Sequence, residues 1–141
     1  MYQSQTRLGN MLWRWLFLTW FILNPIAVHS SESEQSIKYD ACLRLAETSP
    51  IKGYKKGLEW YAENGGVAAR HCMAVSILFG GDNLNGASRL EVLERDIPKE
   101  KTVLRSQILA QAGQALLMEG LVDRSSQLLT KAIHLNPENP E

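Results

Sequence analysis

A dominant sign of charge is missing from this sequence. Its 141 residues include 15 basic and 15 acidic ones, and the formal net charge at pH 7 is +0. Loss of residues 1–30 would remove Arg7 and Arg14 and no acidic residue, so the remainder would be slightly acidic. Nucleic acids bind proteins through clustered Lys and Arg, so this balance argues against a nucleic-acid partner.

Groups that could carry out chemistry are also scarce, because the chain has only two Cys and three His. His71 and Cys72 are adjacent. Neighbouring residues on a helix point about 100° apart, so these two cannot easily bind one metal ion together. Asp82, Glu91 and Glu94 are mixed with Lys and Arg, which is typical of solvent-exposed and helix-capping carboxylates. The sequence therefore predicts a protein that is not an enzyme and has no metal or cofactor.

Long apolar runs are absent as well. The N-terminal run, residues 16–23 (LFLTWFIL), is shorter than the about 20 residues that a membrane-spanning helix needs. It follows Arg7 and Arg14, and residues 28–30 (VHS) offer small or β-branched residues around a cut after Ser30. This order of a basic, an apolar and a small-residue region predicts a signal peptide at residues 1–30.

Two further absences narrow the export route. No Cys lies near the cleavage site, so a lipoprotein is not indicated, and no paired-Arg motif occurs, so the general export route fits better. The alternative is an uncleaved leader, since its Trp residues suit a membrane interface and residues 12–27 could tether the protein. The predicted location is periplasmic or secreted, with an inner-membrane anchor as the alternative.

The rest of the chain carries helical periodicity, interrupted by Pro and Gly. Residues 31–36 (SSESEQ) are polar and predict a short exposed tether. Helices are predicted at 37–47, 50–64, 67–79, 84–94, 102–119 and 123–135, with Asp123 as the cap of the last one. Pro98 forbids a continuous helix between the fourth and the fifth.

The second predicted helix has two candidate packing faces, one apolar and one formed by glycine. Its apolar periodicity predicts a buried stripe formed by Tyr54, Leu58, Tyr61 and Ala62. Gly53 and Gly57 lie four residues apart on one side, although glycine is unfavourable inside a helix, and this spacing predicts the close approach of a neighbouring helix. Trp60 is interpreted as a core residue rather than as a ligand-stacking group.

Residues 106–139 hold the clearest pattern, a helix pair with small residues where two helices must cross. The small positions are Gly113, Ala115, Gly120, Ser125 and Ala132, the large apolar ones are Leu109, Leu116 and Leu129, and Pro137 closes the unit. This stretch resembles a tetratricopeptide repeat, a helix pair of about 34 residues. Shifting by 39 positions (Gly81 to Gly120) pairs Ala74 with Gly113 and Leu90 with Leu129, which indicates an internal repeat.

The resemblance implies an all-α fold of about three antiparallel helix pairs in residues 37–137, stacked as a short superhelix. In this family the first helix of each pair lines the inner surface. The candidate partner-binding residues there are His71, Val75, Gln107, Gln111 and Gln114. This surface is nearly uncharged, with Gln as its main polar residue type, and it lacks the Lys and Arg clamp of the chaperone-type members. An uncharged groove with amide side chains suits an extended or helical peptide segment held by hydrogen bonds and apolar contacts.

The resemblance also places the helices of Cys42 and Cys72 side by side. An even number of cysteines in an exported protein suggests a disulfide, and the alternative is two buried free thiols. No closing helix follows the last pair, which leaves a homodimer through that edge as a hypothesis.

The sequence as a whole predicts a non-catalytic scaffold or adaptor of the cell envelope that binds another polypeptide. The alternatives are a membrane-anchored assembly helper and a thiol–disulfide redox protein that uses Cys42 and Cys72. The lack of a C-x-x-C spacing argues against the second alternative.

Overall fold

The computed structural model describes residues 27–138, and this part of the chain consists of α-helices joined by short turns, with no strand. The helices are α1 (Ala27–Thr48), α2 (Pro50–Ala62), α3 (Gly66–Phe79), α4 (Asn83–Asp96), α5 (Thr102–Met118) and α6 (Val122–Leu135). The predicted all-α class is confirmed. Most of the predicted signal peptide and nearly all of the possible tether at 12–27 lie outside the described residues.

The chain divides into two units, Met1–Glu34 and Gln35–Glu141. The described residues of the first unit, 27–34, form the start of α1. The buried core and the cavities described below lie within the second unit.

The start of α1 differs from the prediction of a tether at residues 31–36, because these residues are helical. Residues 32–36 are exposed, as a tether would be. The segment SSESEQ contains no Pro or Gly, and Glu and Gln are good helix formers, so nothing in it ends a helix.

The turns that follow α3 and α5 share one geometry. Gly81 and Gly120 have φ angles of +88° and +73°, in the left-handed region that glycine adopts at no steric cost. In each turn two amides bond back to the end of the helix, Gly81 to Leu78 and Asp82 to Ile77, then Gly120 to Leu117 and Leu121 to Leu116. The two sets are related by the same shift that relates Gly81 to Gly120, so both helices end in the same hydrogen-bonded motif.

The starts of α4 and α6 differ in how they are capped. Asp82 caps α4, since its Oδ1 accepts a hydrogen bond of 3.2 Å from the amide of Asn85. The predicted cap Asp123 lies instead in the first turn of α6, which begins at Val122. Its charge there still faces the positive end of the helix dipole.

The core lies mainly between α3, α4 and α5. Its buried side chains are Ala74, Ala87, Leu90, Leu93, Ile97, Ile108, Ala112, Ala115 and Leu116. Helix α6 packs against α5 at small residues, as predicted. A Cβ at Gly113 would lie only 2.8 Å from Leu129 Cγ, so a larger residue does not fit there. The Ser125 hydroxyl donates to the Gly113 carbonyl at 2.7 Å, which satisfies a buried polar group at this close contact.

The packing face of α2 is the glycine face, and the predicted apolar stripe is wrong. Leu58 and Tyr61 are 49% and 50% exposed. Trp60 is buried, as predicted, and its indole nitrogen donates to Gln35 Oε1 at 3.1 Å. The helix therefore contacts its neighbours with one large aromatic residue and two glycines rather than with its aliphatic residues.

Both glycines of α2 mark close approaches between helices, as predicted. A Cβ at Gly53 would lie 2.5 Å from the Cα of Ala46 in α1. A Cβ at Gly57 would lie 3.2 Å from the carbonyl oxygen of Ala69 in α3. Because these contacts include backbone atoms, the backbones of α1, α2 and α3 lie too close together for larger residues at these two positions.

Glu94 is buried, with a side chain that is 2% exposed, so its prediction as a solvated or capping group is wrong. Arg105 of α5 donates to Oε1 through Nε at 2.9 Å and through a second guanidinium nitrogen. Lys131 of α6 donates to Oε2 at 3.0 Å. Burial raises the pKa of Glu94, but the hydrogen bonds and charges of Lys131 and Arg105 outweigh it, so the pKa lies below its usual value. One ionised carboxylate thus connects α4, α5 and α6.

Glu94→Gln should lower the free energy of unfolding by about 2 kcal/mol, because the partly buried Arg105 would lose its counter-charge. Urea denaturation at pH 7 measures this loss. Glu91→Gln is the matched control, since the partner of Glu91, Arg124, is 52% exposed and such pairs contribute about 0–1 kcal/mol. Equal losses in the two variants would contradict a special role for the buried carboxylate.

Candidate functional site

A cavity of about 440 Å³ opens between α1, α3 and α5. We call it the groove. Its lining is Leu43, Glu47, His71, Val75, Leu78, Phe79, Asn83, Gln111, Gln114, Ala115 and Met118. More than half of these residues are apolar, and a few polar groups are interspersed among them, as in many ligand-binding clefts.

Four of the five candidate partner-binding residues line the groove. His71 and Val75 come from α3, and Gln111 and Gln114 come from α5. Gln107 does not line the groove, although it lies on the same helix as the other two glutamines. It lines a smaller cavity of about 130 Å³, together with residues of α6. The groove therefore follows the C-terminal half of α5 and does not extend to its start.

His71 connects the three helices that form the groove. The Tyr39 hydroxyl donates to His71 Nδ1 at 2.5 Å, and His71 Nε2–H donates to Gln111 Oε1 at 2.7 Å. The rings of Tyr39 and His71 lie 5.8 Å apart. Nothing in the local sequence indicates this bond between Tyr39 and a residue 32 positions away.

The side chain of His71 is neutral. Burial lowers its pKa, and the hydrogen bond to Gln111 only partly opposes this effect. Burial, together with the charge of Asp40, raises the pKa of Tyr39, so the hydroxyl keeps its proton. A neutral imidazole with one acceptor and one donor nitrogen fits both of its hydrogen bonds.

Acidification should destabilise the protein through His71. The unfolded chain takes up a proton near the ordinary pKa of 6.5, whereas the folded chain does so only at lower pH. The contribution of His71 to the free energy of unfolding is thus complete above pH 6.5. It is lost as the pH falls from 6.5 through the lowered pKa of the folded state, by at most about 1.4 kcal/mol per pH unit.

Urea denaturation of the wild type and of His71→Gln at pH 7.5, 6.5 and 5.5 measures this effect. The wild type should lose stability more steeply below pH 6.5 than the variant. His134→Gln, at an exposed position on α6, is the control and should follow the wild type. Parallel profiles of wild type and His71→Gln would contradict the assignment.

Cys42 of α1 and Cys72 of α3 form a disulfide, with their Cα atoms 6.1 Å apart, which confirms the predicted pair. Both residues are fully buried. The carbonyl oxygen of Gly53 lies 3.7 Å from one sulfur and 3.9 Å from the other, so the bond sits against the glycine face of α2. The disulfide joins two helices of the groove. Cys42 and Cys72 are adjacent in sequence to Leu43 and His71, and both of these neighbours line the groove.

The described residues contain neither a candidate metal site nor a candidate membrane span. Within residues 27–138 there is no group of three or more His, Cys, Asp or Glu side chains that could hold a metal ion. In the same part of the chain, no helix is both long and apolar enough to cross a membrane.

The chain was compared with protein families, with curated proteins and with solved structures. No family model matches it. Neither the curated proteins nor the solved structures gave a significant match.

Proposed function

We propose that this protein is a non-catalytic scaffold of the cell envelope that holds a segment of a partner polypeptide in the groove. The observation that carries the proposal is the groove itself, an apolar cleft of about 440 Å³ in which four independently predicted residues meet. Its volume lies in the range of about 300–1,000 Å³ that is typical of ligand pockets. A peptide can fill such a cleft with side chains while its backbone bonds to polar groups of the lining.

A tetratricopeptide-like repeat is part of this proposal. The matching turns at Gly81 and Gly120 support it, as does the packing of each helix from α2 to α5 against the next one along the chain. The groove also lies between the first, third and fifth helices. The resemblance implies that the inner surface is formed by these three helices.

Export to the periplasm, or secretion, is the second part of the proposal. The disulfide supports it, since such bonds persist in oxidising compartments and are rare in the cytosol. The predicted leader agrees with it. An inner-membrane anchor formed by an uncleaved leader is the alternative, and fractionation of the native cells followed by intact-mass measurement separates the two.

A thiol–disulfide enzyme is disfavoured by the position of the cysteines. Reactive cysteines are partially exposed, in surroundings that stabilise the thiolate. Cys42 and Cys72 are both 0% exposed and their sulfurs face a backbone carbonyl. This arrangement suits a permanent bond between helices.

Selection of peptides from a random dodecamer library on the oxidised, purified protein tests the proposed function. Gln114→Trp should bind the selected peptides at least about tenfold more weakly than the wild type does, because its indole would fill the groove. Gln107→Trp is the control, as it places the same residue at an exposed position of the same helix outside the groove. Retention of all selected peptides by Gln114→Trp would refute the groove as the binding site.

A further inference from the structure

We propose that the partner segment places an apolar side chain in the groove and a Lys or Arg side chain beside Glu47. This inference rests on the proposed function and adds the chemical class of the partner. It follows from three features of the groove, namely its apolar wall, its charges and its unused amide groups.

The apolar wall has exposed area that a partner could cover. Leu43, Val75 and Leu78 form its inner part, while Phe79 and Met118 are 55% and 76% exposed. Covering such a surface favours a complex, because apolar area is then removed from water. A partner that matches this wall therefore brings an aliphatic or aromatic side chain.

The charges of the groove have one sign. Glu47 is an acidic residue of the lining, burial lowers the pKa of His71, and no Lys or Arg is found among the described lining residues. Within residues 27–138, no ion pair engages Glu47. Next to Met118, Glu119 adds a second carboxylate, whose Oε1 accepts a hydrogen bond of 2.8 Å from Asn83, a residue of the lining.

The ends of the surrounding helices have the same sign. Residues from the last turns of α1, α3 and α5 line the groove, and none of these last turns contains a basic residue. The C-terminal end of a helix carries a partial negative charge. The one helix that begins at the groove, α4, has its positive end offset by the Asp82 carboxylate. A cation on the partner is therefore favoured, and a carboxylate or phosphate is disfavoured.

Unused amide groups favour a polypeptide over a small organic cation. Gln111 uses its Oε1 to accept from His71, which leaves its amide N–H groups available to a carbonyl. The exposed Gln114 offers both a donor and an acceptor. Because Gln111 and Gln114 are three residues apart, they lie on the same face of α5, where both can bond to the backbone of an extended chain.

Three synthetic dodecamers that share a central Leu-Phe and differ in their flanks, with Lys, Gln or Glu, test this inference. Their affinities for the full chain are measured by fluorescence anisotropy at low and high salt. The Lys peptide should bind most tightly, and high salt should weaken its binding more than that of the Gln peptide. Glu47→Gln should weaken the Lys peptide by about fivefold and leave the Gln peptide unchanged.

Glu59→Gln, at an exposed position of α2 outside the groove, is the matched control and should bind all three peptides as the wild type does. In the charge-reversal variant Glu47→Lys, the order of the Lys and Glu peptides should invert. This inversion could not result from partial unfolding, because unfolding would weaken both peptides.

The outcomes distinguish the inference from the proposed function. If Gln114→Trp loses the peptides but Glu47→Gln binds the Lys and Gln series alike, the charge preference is refuted and the groove remains a peptide site. If none of the peptides and no library member depends on Gln114, both proposals fail. A dimer in sedimentation that Gln114→Trp dissociates would show that a second copy occupies the groove, which would also overturn the inference.

Discussion

Replacing both cysteines, as Cys42→Ala with Cys72→Ala, should lower the free energy of unfolding by about 3.5 kcal/mol. The bond joins residues 30 positions apart, and in the chain-entropy account closing such a loop restricts the unfolded chain by about this amount. This is a large share of the about 5–15 kcal/mol that stabilises a typical domain. Urea denaturation at 25 °C, followed by the helical circular dichroism signal, measures the loss.

The wild type unfolded with a dithiol reductant provides the control. Its midpoint should move to that of the double variant, because both proteins then lack the same cross-link. Reduction before unfolding should be slow, since both cysteines are fully buried. An oxidised wild type with the midpoint of the double variant would contradict the contribution assigned to the bond.

Gly53→Ala should destabilise the protein by about 3 kcal/mol, the upper end of the usual cost of overpacking. The new Cβ would lie 2.5 Å from Ala46 Cα and 2.7 Å from Ser76 Oγ. A backbone atom cannot rotate away, and the disulfide restrains α1 against moving from α3. This cost exceeds the gain of up to about 1 kcal/mol that Ala offers over Gly inside a helix.

Gly80→Ala is the control for this substitution. A Cβ there would lie 3.3 Å from the carbonyl oxygens of Ser76 and Ile77, a tight contact but not an impossible one, and the φ angle of −74° suits any residue. Its effect on the free energy of unfolding should stay within about 1 kcal/mol. If Gly53→Ala stabilised the protein, α1 and α2 could not be packed at their backbones in solution.

The ends of the helices could be predicted because they are local. Pro50 begins α2, Gly81 and Gly120 adopt the left-handed conformation that follows α3 and α5, and Asp82 caps α4. Each of these residues acts on the backbone within a few positions of itself. The start of α1 was missed for the opposite reason, since the polar residues 31–36 contain no signal that ends a helix.

Packing faces were harder to predict where they depend on distant residues. Apolar periodicity selected Leu58 and Tyr61, but α2 is close enough to α1 and α3 that only Gly53 and Gly57 fit. Side-chain size predicts which residue benefits from burial, but it does not predict how close two backbones come.

Polar contacts between residues that lie far apart in the sequence could not be predicted either. The burial of Glu94 depends on Arg105 and Lys131 on two other helices, and no neighbour in the sequence indicates them. The register of α5 brings Gln111 and Gln114 to the groove and leaves Gln107 near α6. Such outcomes depend on the angles between helices, which a single sequence does not encode locally.

The bond between Cys42 and Cys72 also makes the intervening chain a closed covalent ring that contains the whole of α2. A single backbone cut inside the ring therefore cannot separate the molecule into two pieces. The exposed turn at Glu63 and Asn64, where Asn64 has a φ angle of +67°, is the accessible place for a protease to cut. On a non-reducing gel a nicked protein would run as one species, because the disulfide still bonds α1 to the helix that carries His71. After reduction it would run as two fragments.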